Sequence, residues 1–355
     1  MQRFKNILVG VDERTENRAV VERAVTLAQR NRAHLTVVNT VKALPPPPTV
    51  RDSAEPPVDI DIIEEWPLDA DGPPMPDSPV ALSHLPTIAE MPDTEPALVI
   101  RDHIVEEERQ RLERWVDFIR RSGVPASGKM LCGTPFLEII REVLRNDHDL
   151  VMTTAEGYGG LKEKLFGSTA MHLMRKCPCP VWVVRPSQPE HHTRILAAVD
   201  PTPLEEEQFT VSVKIMDLAT SLAQRQQSEL VVVHTWTFPA EHSLTRGYLV
   251  ASSELDGWIR QARNLHRRRL AKLLRPYPLQ DLKTQVYMLK GEPGNLIPEL
   301  AAREEVGLIV MGTVSRTGVS GLLIGNTAER ILRQVDCSVL TVKPDGFVTP
   351  VTLDE

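Results

Sequence analysis

Cysteine is scarce in this sequence: Cys132, Cys177, Cys179 and Cys337 are the only four in 355 residues. That excludes a disulfide framework and fits a reducing compartment. No run of about 18 apolar residues occurs, so no membrane-spanning helix and no membrane partner are expected. Residues Met1-Gln2-Arg3-Phe4-Lys5-Asn6 run straight into a strand-like segment, without an apolar h-region or a small-residue cleavage site. The expected location is therefore the cytoplasm. A basic surplus is also missing: the formal net charge is -7, which gives no reason to expect a nucleic-acid partner. No lysine follows a glycine loop in the Walker pattern, no paired acids mark a two-metal site, and no nucleophile–base–acid set can be read. Any catalysis is therefore expected to be weak, and neither catalytic residues nor a metal site is assigned.

What the sequence does contain is a repeat. Residues 133–186 align without gaps onto 291–344, at a constant offset of 158. Gly133-Thr134-Pro135 falls on Gly291-Glu292-Pro293, and Gly167-Ser168-Thr169-Ala170 on Gly325-Asn326-Thr327-Ala328. The openings of the halves match at an offset of 188, Ile7–Asp12 against Ile195–Asp200. The first half therefore carries about thirty extra residues ahead of Gly133. They lie within Leu44–Pro96, which is proline-rich (Pro45 to Pro48 in a row) and acidic. Missing backbone donors and like-charge repulsion oppose a packed core there, and the expectation is an extended anionic loop. It is read as a solvated spacer or as a partner-docking segment, with Trp66, Ile60, Ile62 and Ile63 as the cluster suited to docking.

Both halves alternate strand-like and helix-like runs, which argues for a parallel sheet covered by helices. The expected fold class is α/β, two tandem, doubly wound, Rossmann-like domains of five parallel strands and four helices each. The expected division is 1–186, a linker at 187–193, 194–344, and a tail at 345–355. Thr134 is the expected N-cap of a helix beginning at Pro135. Pro298, inside the matching helix of the second half, is expected to kink it.

In doubly wound sheets ligands sit beyond the carboxyl ends of strands, where strand order reverses. Two features are expected to meet there. One is the acidic residue ending the first strand of each half, Asp12 or Asp200. The other is the loop after the fourth strand: Thr154 through Gly157 to Gly167-Ser168-Thr169, and Gly312 through Ser315 to Gly325-Asn326-Thr327. Glycine allows backbone N–H groups to approach phosphate closely, and the start of a helix favours an anion. The carboxylate suits a ribose hydroxyl or a donor on a base.

These residues resemble the universal stress protein nucleotide motif, G-x2-G-x9-G-[ST], with an aspartate at the end of the first strand. Val231-Val232-Val233-His234, Leu308-Ile309-Val310-Met311-Gly312-Thr313 and Cys179-Pro180-Val181 resemble the same family. The likeness covers nearly the whole chain apart from the insertion and the tail, and points to the tandem-domain type of that family. It implies a stress-response protein that binds ATP, ADP or AMP, with or without Mg2+, and acts by binding and signalling. It also implies an intramolecular pseudo-dimer in which the last strands of the two halves pair. Neither copy keeps the motif whole: Thr154 stands at the first glycine, Ser315 at the second, and Asn326 at the Ser/Thr. The alternative is a nucleotide-free scaffold for an unidentified protein partner, with vestigial loops.

Other features carry less. Cys177-Pro178-Cys179 has the wrong spacing for a C-x-x-C site and reads as core cysteine. His191-His192, between the halves, reads as solvated, and His234 as a satisfied core or pocket-rim histidine. Arg260, Arg263, Arg267, Arg268, Arg269, Lys272 and Arg275 line one expected helix, read as a solvated face or as a patch for an anionic partner, the chain's own insertion among them.

Overall fold

The computed structural model describes residues 4–12, 17–41, 95–155, 166–186, 192–201, 206–238, 252–313 and 325–353. The acidic insertion thus lies outside the described residues except at its end, where Glu95 and Pro96 open a helix. The first half contains β1 (Asn6–Val11), α1 (Asn17–Asn31), β2 (His34–Val41), α2 (Glu95–Arg121), β3 (Ala126–Cys132), α3 (Pro135–Asn146), β4 (Leu150–Thr154), α4 (Ser168–Lys176) and β5 (Val181–Val184). The second contains β6 (Arg194–Ala198), α5 (Glu206–Gln226), β7 (Glu229–Trp236), α6 (Ser252–Leu274), β8 (Thr284–Lys290), α7 (Pro293–Arg303), β9 (Leu308–Gly312), α8 (Asn326–Leu332) and β10 (Ser338–Val342). The five-strand, four-helix plan therefore holds in each half among the described residues, with bounds a few residues from those expected.

The strands join in one sheet of ten, ordered β3-β2-β1-β4-β5-β10-β9-β6-β7-β8. Ladders are parallel within each half, and the halves meet in a single antiparallel pair, β5 against β10, with Trp182 opposite Leu340. Pairing these short apolar strands removes two sheet edges that would otherwise template aggregation. Inner strands such as β1 and β4 are buried on both faces, and their residues Ile7–Val9 and Leu150–Met152 are a continuous apolar run, the pattern of parallel strands covered on both sides. Two apolar layers result, each continuous across both halves. One holds α1, α2, α5 and α6, with Trp182 and Leu340 at its centre. The other holds α3, α4, α7 and α8, with Val183 and Val339.

Local devices repeat with the sequence. Gly133 and Gly291 have φ of 138° and 140°, which a side chain rarely tolerates. Each N–H donates to the end of the second strand of its half, Val41 O or Trp236 O, at 2.9 Å. Thr134 occupies the expected N-cap position, but its hydroxyl makes no capping bond; Pro135 starts the helix by fixing φ. Helix α7 continues through Pro298 to Arg303. The proline leaves Gly294 O without its helical donor, and Gln334 Nε2 supplies one at 2.8 Å.

The seam between the halves is polar beneath its apolar cover. His192, expected to be solvated, is instead 1% exposed. Contacts from both halves explain the difference: the His192 N–H donates to Gln226, its carbonyl accepts from Ser228, and Arg23 Nη1 lies 2.9 Å from its Nε2. A guanidinium only donates, so His192 Nε2 is the acceptor. Arg23 also reaches Ser338 Oγ at 3.4 Å, so α1 of one half grips β10 of the other. On the opposite face Lys343 Nζ donates to Met174 O (2.8 Å), Arg175 O (3.0 Å) and Thr313 Oγ1 (2.5 Å). Burial pushes the Lys343 pKa down to about 7.

Candidate functional site

Strand order reverses beside the first strand of each half, where β1 lies between β2 and β4, and β6 between β7 and β9. The crevice at such a point opens at the carboxyl ends. Ile7 pairs with Leu150 and Ile195 with Leu308. Carried along the ladder, that register sets Asp12 level with Ala155 and Asp200 level with Thr313. These two carbonyls anchor the loops: Ala155 O accepts from Gly167 N at 2.8 Å, and Thr313 O from Gly325 N at 2.9 Å. In both halves one edge therefore carries an aspartate, the closed base of a loop, and the start of a helix. Because β5 and β10 are antiparallel, the two edges face opposite ways.

The backbone of each aspartate is clamped from both sides by one helix side chain. Asn17 Nδ2 donates to Asp12 O at 2.7 Å, and Asn17 Oδ1 accepts from Asp12 N at 3.3 Å. Ser212 Oγ does the same work for Asp200, at 2.9 Å and 3.1 Å. Sequence reasoning missed both clamps, because they follow their aspartates at different spacings, five and twelve residues, and form no motif.

Gly167 and Gly325 are the N-caps of α4 and α8, in extended conformation, and no side chain caps either helix. Ser168 and Thr169 lie in the first turn of α4, Asn326 and Thr327 in that of α8. Thr154 closes β4 and is buried. Gly312 closes β9, and a β-carbon there would fall 2.9 Å from Val211 Cγ1, so the packing of α5 itself requires this glycine. Gly157 and Ser315 lie outside the described residues.

Behind each aspartate, the second strand and the second helix share a buried polar pair that differs between the halves. In the first, Asn39 Nδ2 donates to Glu108 Oε2 at 2.7 Å, and Arg111 pairs with Glu108 Oε1 at 2.8 Å. In the second, His234 Nδ1 lies 3.2 Å from Val199 O, and His234 Nε2 lies 2.9 Å from His266 Nδ1. A carbonyl can only accept, so Nδ1 of His234 carries a proton, and in the neutral ring Nε2 accepts from His266 Nδ1. His234 is thus the satisfied histidine that the sequence suggested. Cys177 and Cys179 place their sulfurs 3.5 Å apart; that contact, with burial, pushes the Cys179 thiol well up and keeps it protonated.

Two parallel five-stranded sheets fused through their last strands, each with an aspartate beside a looped helix start, define a tandem Rossmann-like α/β protein. The family model described as universal stress protein family matches residues 3–61, 80–185 and 191–343, and the chain belongs to this stress-response family. It is 30% identical over 267 residues to universal stress protein E of Escherichia coli K12, covering 74% of this chain and 82% of that one. A universal stress protein E homolog of Haemophilus influenzae is 27% identical, over 69% and 78%. Among solved structures, a universal stress protein from Archaeoglobus fulgidus superposes with a TM-score of 0.57 at 15% identity, over 95% of this chain and 98% of that one. A Pseudomonas aeruginosa UCBPP-PA14 structure gives 0.63 at 20%, over 97% and 95%. At such identities these two establish the fold. Among the described residues no helix is long and apolar enough to cross a membrane.

Proposed function

We propose that this chain binds an adenine nucleotide at the carboxyl edge of its first half and acts by binding and signalling rather than by turnover. The observation that carries the reading is the convergence of Asp12, the Gly167–Ala155 loop closure and the uncapped start of α4 on one edge. Asp12 would receive the ribose or base. Thr154, Gly157, Gly167, Ser168 and Thr169 would surround the phosphates, whose Mg2+ would be carried by the nucleotide itself. The open loop sequence, with Gly157, Gly159 and Gly160, supports the same choice.

A scaffold role is favoured for the second half, read as a domain spanning 194–344 beside a first spanning 1–186. Gly312 there is accounted for by Val211, Ser315 and Asn326 replace motif residues, and α8 is only 7 residues long. Asp200, Gly325 and Thr327 would then keep the family geometry without a ligand. The setting we infer is the cytoplasm.

The test is to denature the purified protein, identify released nucleotides by mass spectrometry, and measure thermal shifts with ATP, ADP and AMP. Binding that Asp12→Ala abolishes and Asp200→Ala leaves intact is the expected result. Protein that is empty and shifts with none of the three would leave the scaffold reading for both halves.

A further inference from the structure

Helices α2 and α6 occupy equivalent places in the two halves, yet they manage charge in opposite ways. On α2 acids are interleaved with the arginines, and two of the arginines are paired along the helix: Arg109 with Glu106 and Glu113, and Arg111 with Glu108. On α6 the acids are confined to Glu254 and Asp256, near its start. Arg260, Arg263, Arg267, Arg268 and Lys272 follow, all exposed, and none forms an ion pair or hydrogen bond with a described residue. Two large apolar side chains lie among these cations, Trp258 at 42% and Leu265 at 39% exposure. At helical spacing Trp258, Leu265, Arg268 and Lys272 form one stripe; Arg260 and Arg267 continue the positive charge round the solvent side of the helix, and Arg263 lies on the far flank. A solvated face needs neither the tryptophan nor so many unpaired like charges, which repel one another.

We propose that this cationic face of α6 is a docking surface for the chain's own acidic segment, residues 45–77. The segment carries nine acidic side chains against the single Arg51, and its apolar residues Ile60, Ile62, Ile63 and Trp66 lie among the acids as Trp258 and Leu265 lie among the cations. Charge complementarity selects the partner, and the apolar side chains give the contact an anchor that salt does not screen.

The topology permits the contact. Helices α2 and α6 cover the same face of the sheet. Since β5 and β10 are antiparallel, the edge where β2 ends is the edge where β8 starts. Helix α6 leads back to the start of β8, so its basic C-terminal turns finish on the edge from which the segment departs. Strands β2 and β7 are seven places apart in the sheet, roughly 34 Å at about 4.8 Å per strand. The chain from Val41 to Ile60 spans up to about 65 Å when extended, so reach sets no limit.

The test is carbodiimide cross-linking of the full chain, with mass spectrometry of linkages from Lys272 and isotopically mixed chains to separate intrachain from interchain products. The expected result is intrachain linkage of Lys272 to carboxylates within 52–77. At least a fivefold loss is expected in 0.5 M salt (roughly a 4 Å screening length), in the triple reversal Arg260→Glu/Arg267→Glu/Arg268→Glu, and in a neutralised segment (Asp59→Asn/Asp61→Asn/Glu64→Gln/Glu65→Gln). The last variant leaves every described element untouched, so misfolding cannot imitate the loss. Interchain linkage would show a second copy as the occupant and overturn the proposal. So would linkages from the segment to other lysines that persist through all three changes.

Discussion

Single residues in this protein hold unusual states at low cost because the surrounding fold fixes them. His148 is 4% exposed, and burial, more than any other cause, pushes its pKa down, with Glu142 pulling partly back. Unfolded, the imidazole titrates near about 6.5. A group whose folded pKa is the lower one binds its proton more readily in the unfolded chain. Its effect on stability is absent above about 6.5 and grows unfavourable as pH falls from there towards the folded value. His172, also lowered first by burial, acts with the same sign. Urea unfolding at about pH 7.5 and 5.5 should show the native state losing stability in acid, and His148→Leu should flatten that slope. An unchanged slope would place the sensitivity elsewhere. A second residue-scale outcome concerns Gln227, which follows the end of α5 with φ of 56°. Glycine adopts this conformation without a β-carbon clash, so Gln227→Gly should raise stability by up to about 1 kcal/mol, read from the shift in the urea midpoint.

At the scale of elements, the two halves solve one problem in two chemistries. The second strand meets the second helix through Asn39–Glu108 in one half and His234–His266 in the other. Arg269 follows His266 at the interval by which Arg111 follows Glu108. The double variant His234→Asn/His266→Glu should therefore fold with near-native stability. His266→Glu alone sets a carboxylate against an accepting imidazole nitrogen, a clash that His234 relieves only by taking up a second proton, so it should cost about 1–3 kcal/mol at about pH 9 and less towards acid. A double-mutant cycle by thermal melting measures the coupling, and additive losses would refute it. The same elements show what could be read in advance. The strands and helices were legible because apolar runs and Gly-x-Pro punctuation recur at fixed offsets. The edge carrying Asp12 and Gly167 was legible only on the condition that the first and fourth strands are neighbours, because alternation implies a parallel sheet without fixing its order; β1 does lie beside β4. The clamps by Asn17 and Ser212 and the buried pairs were not, since each joins residues whose separation depends on helix placement. His192 was misread because a linker histidine gives no sign, in sequence, that Gln226, Ser228 and Arg23 will close over it.

The whole molecule behaves as one sheet rather than two beads, and that has a thermodynamic consequence. Both apolar layers run uninterrupted across the β5–β10 seam. Polar groups reinforce it from both faces, Arg23 against Ser338 on one side and Lys343 against the carbonyl end of α4 on the other. If one half unfolded alone, it would expose the seam residue of the other, Trp182 or Leu340, to water and give up the β5–β10 ladder with the Lys343 hydrogen bonds. Each fully buried large apolar side chain so exposed costs about 1.5–3 kcal/mol, so the half-unfolded state lies well above both ends. Calorimetry should therefore give a single transition whose calorimetric and van't Hoff enthalpies agree, although domains joined by a linker commonly melt separately. Lys343→Met keeps the length of the side chain but removes its donors from Met174 O, Arg175 O and Thr313 Oγ1. It should lower the midpoint and broaden the transition towards two components, whereas a substitution of equal cost far from the seam should lower the midpoint and leave the enthalpy ratio near one. Two resolved transitions in the unmodified chain would mean that the halves are coupled through the linker alone.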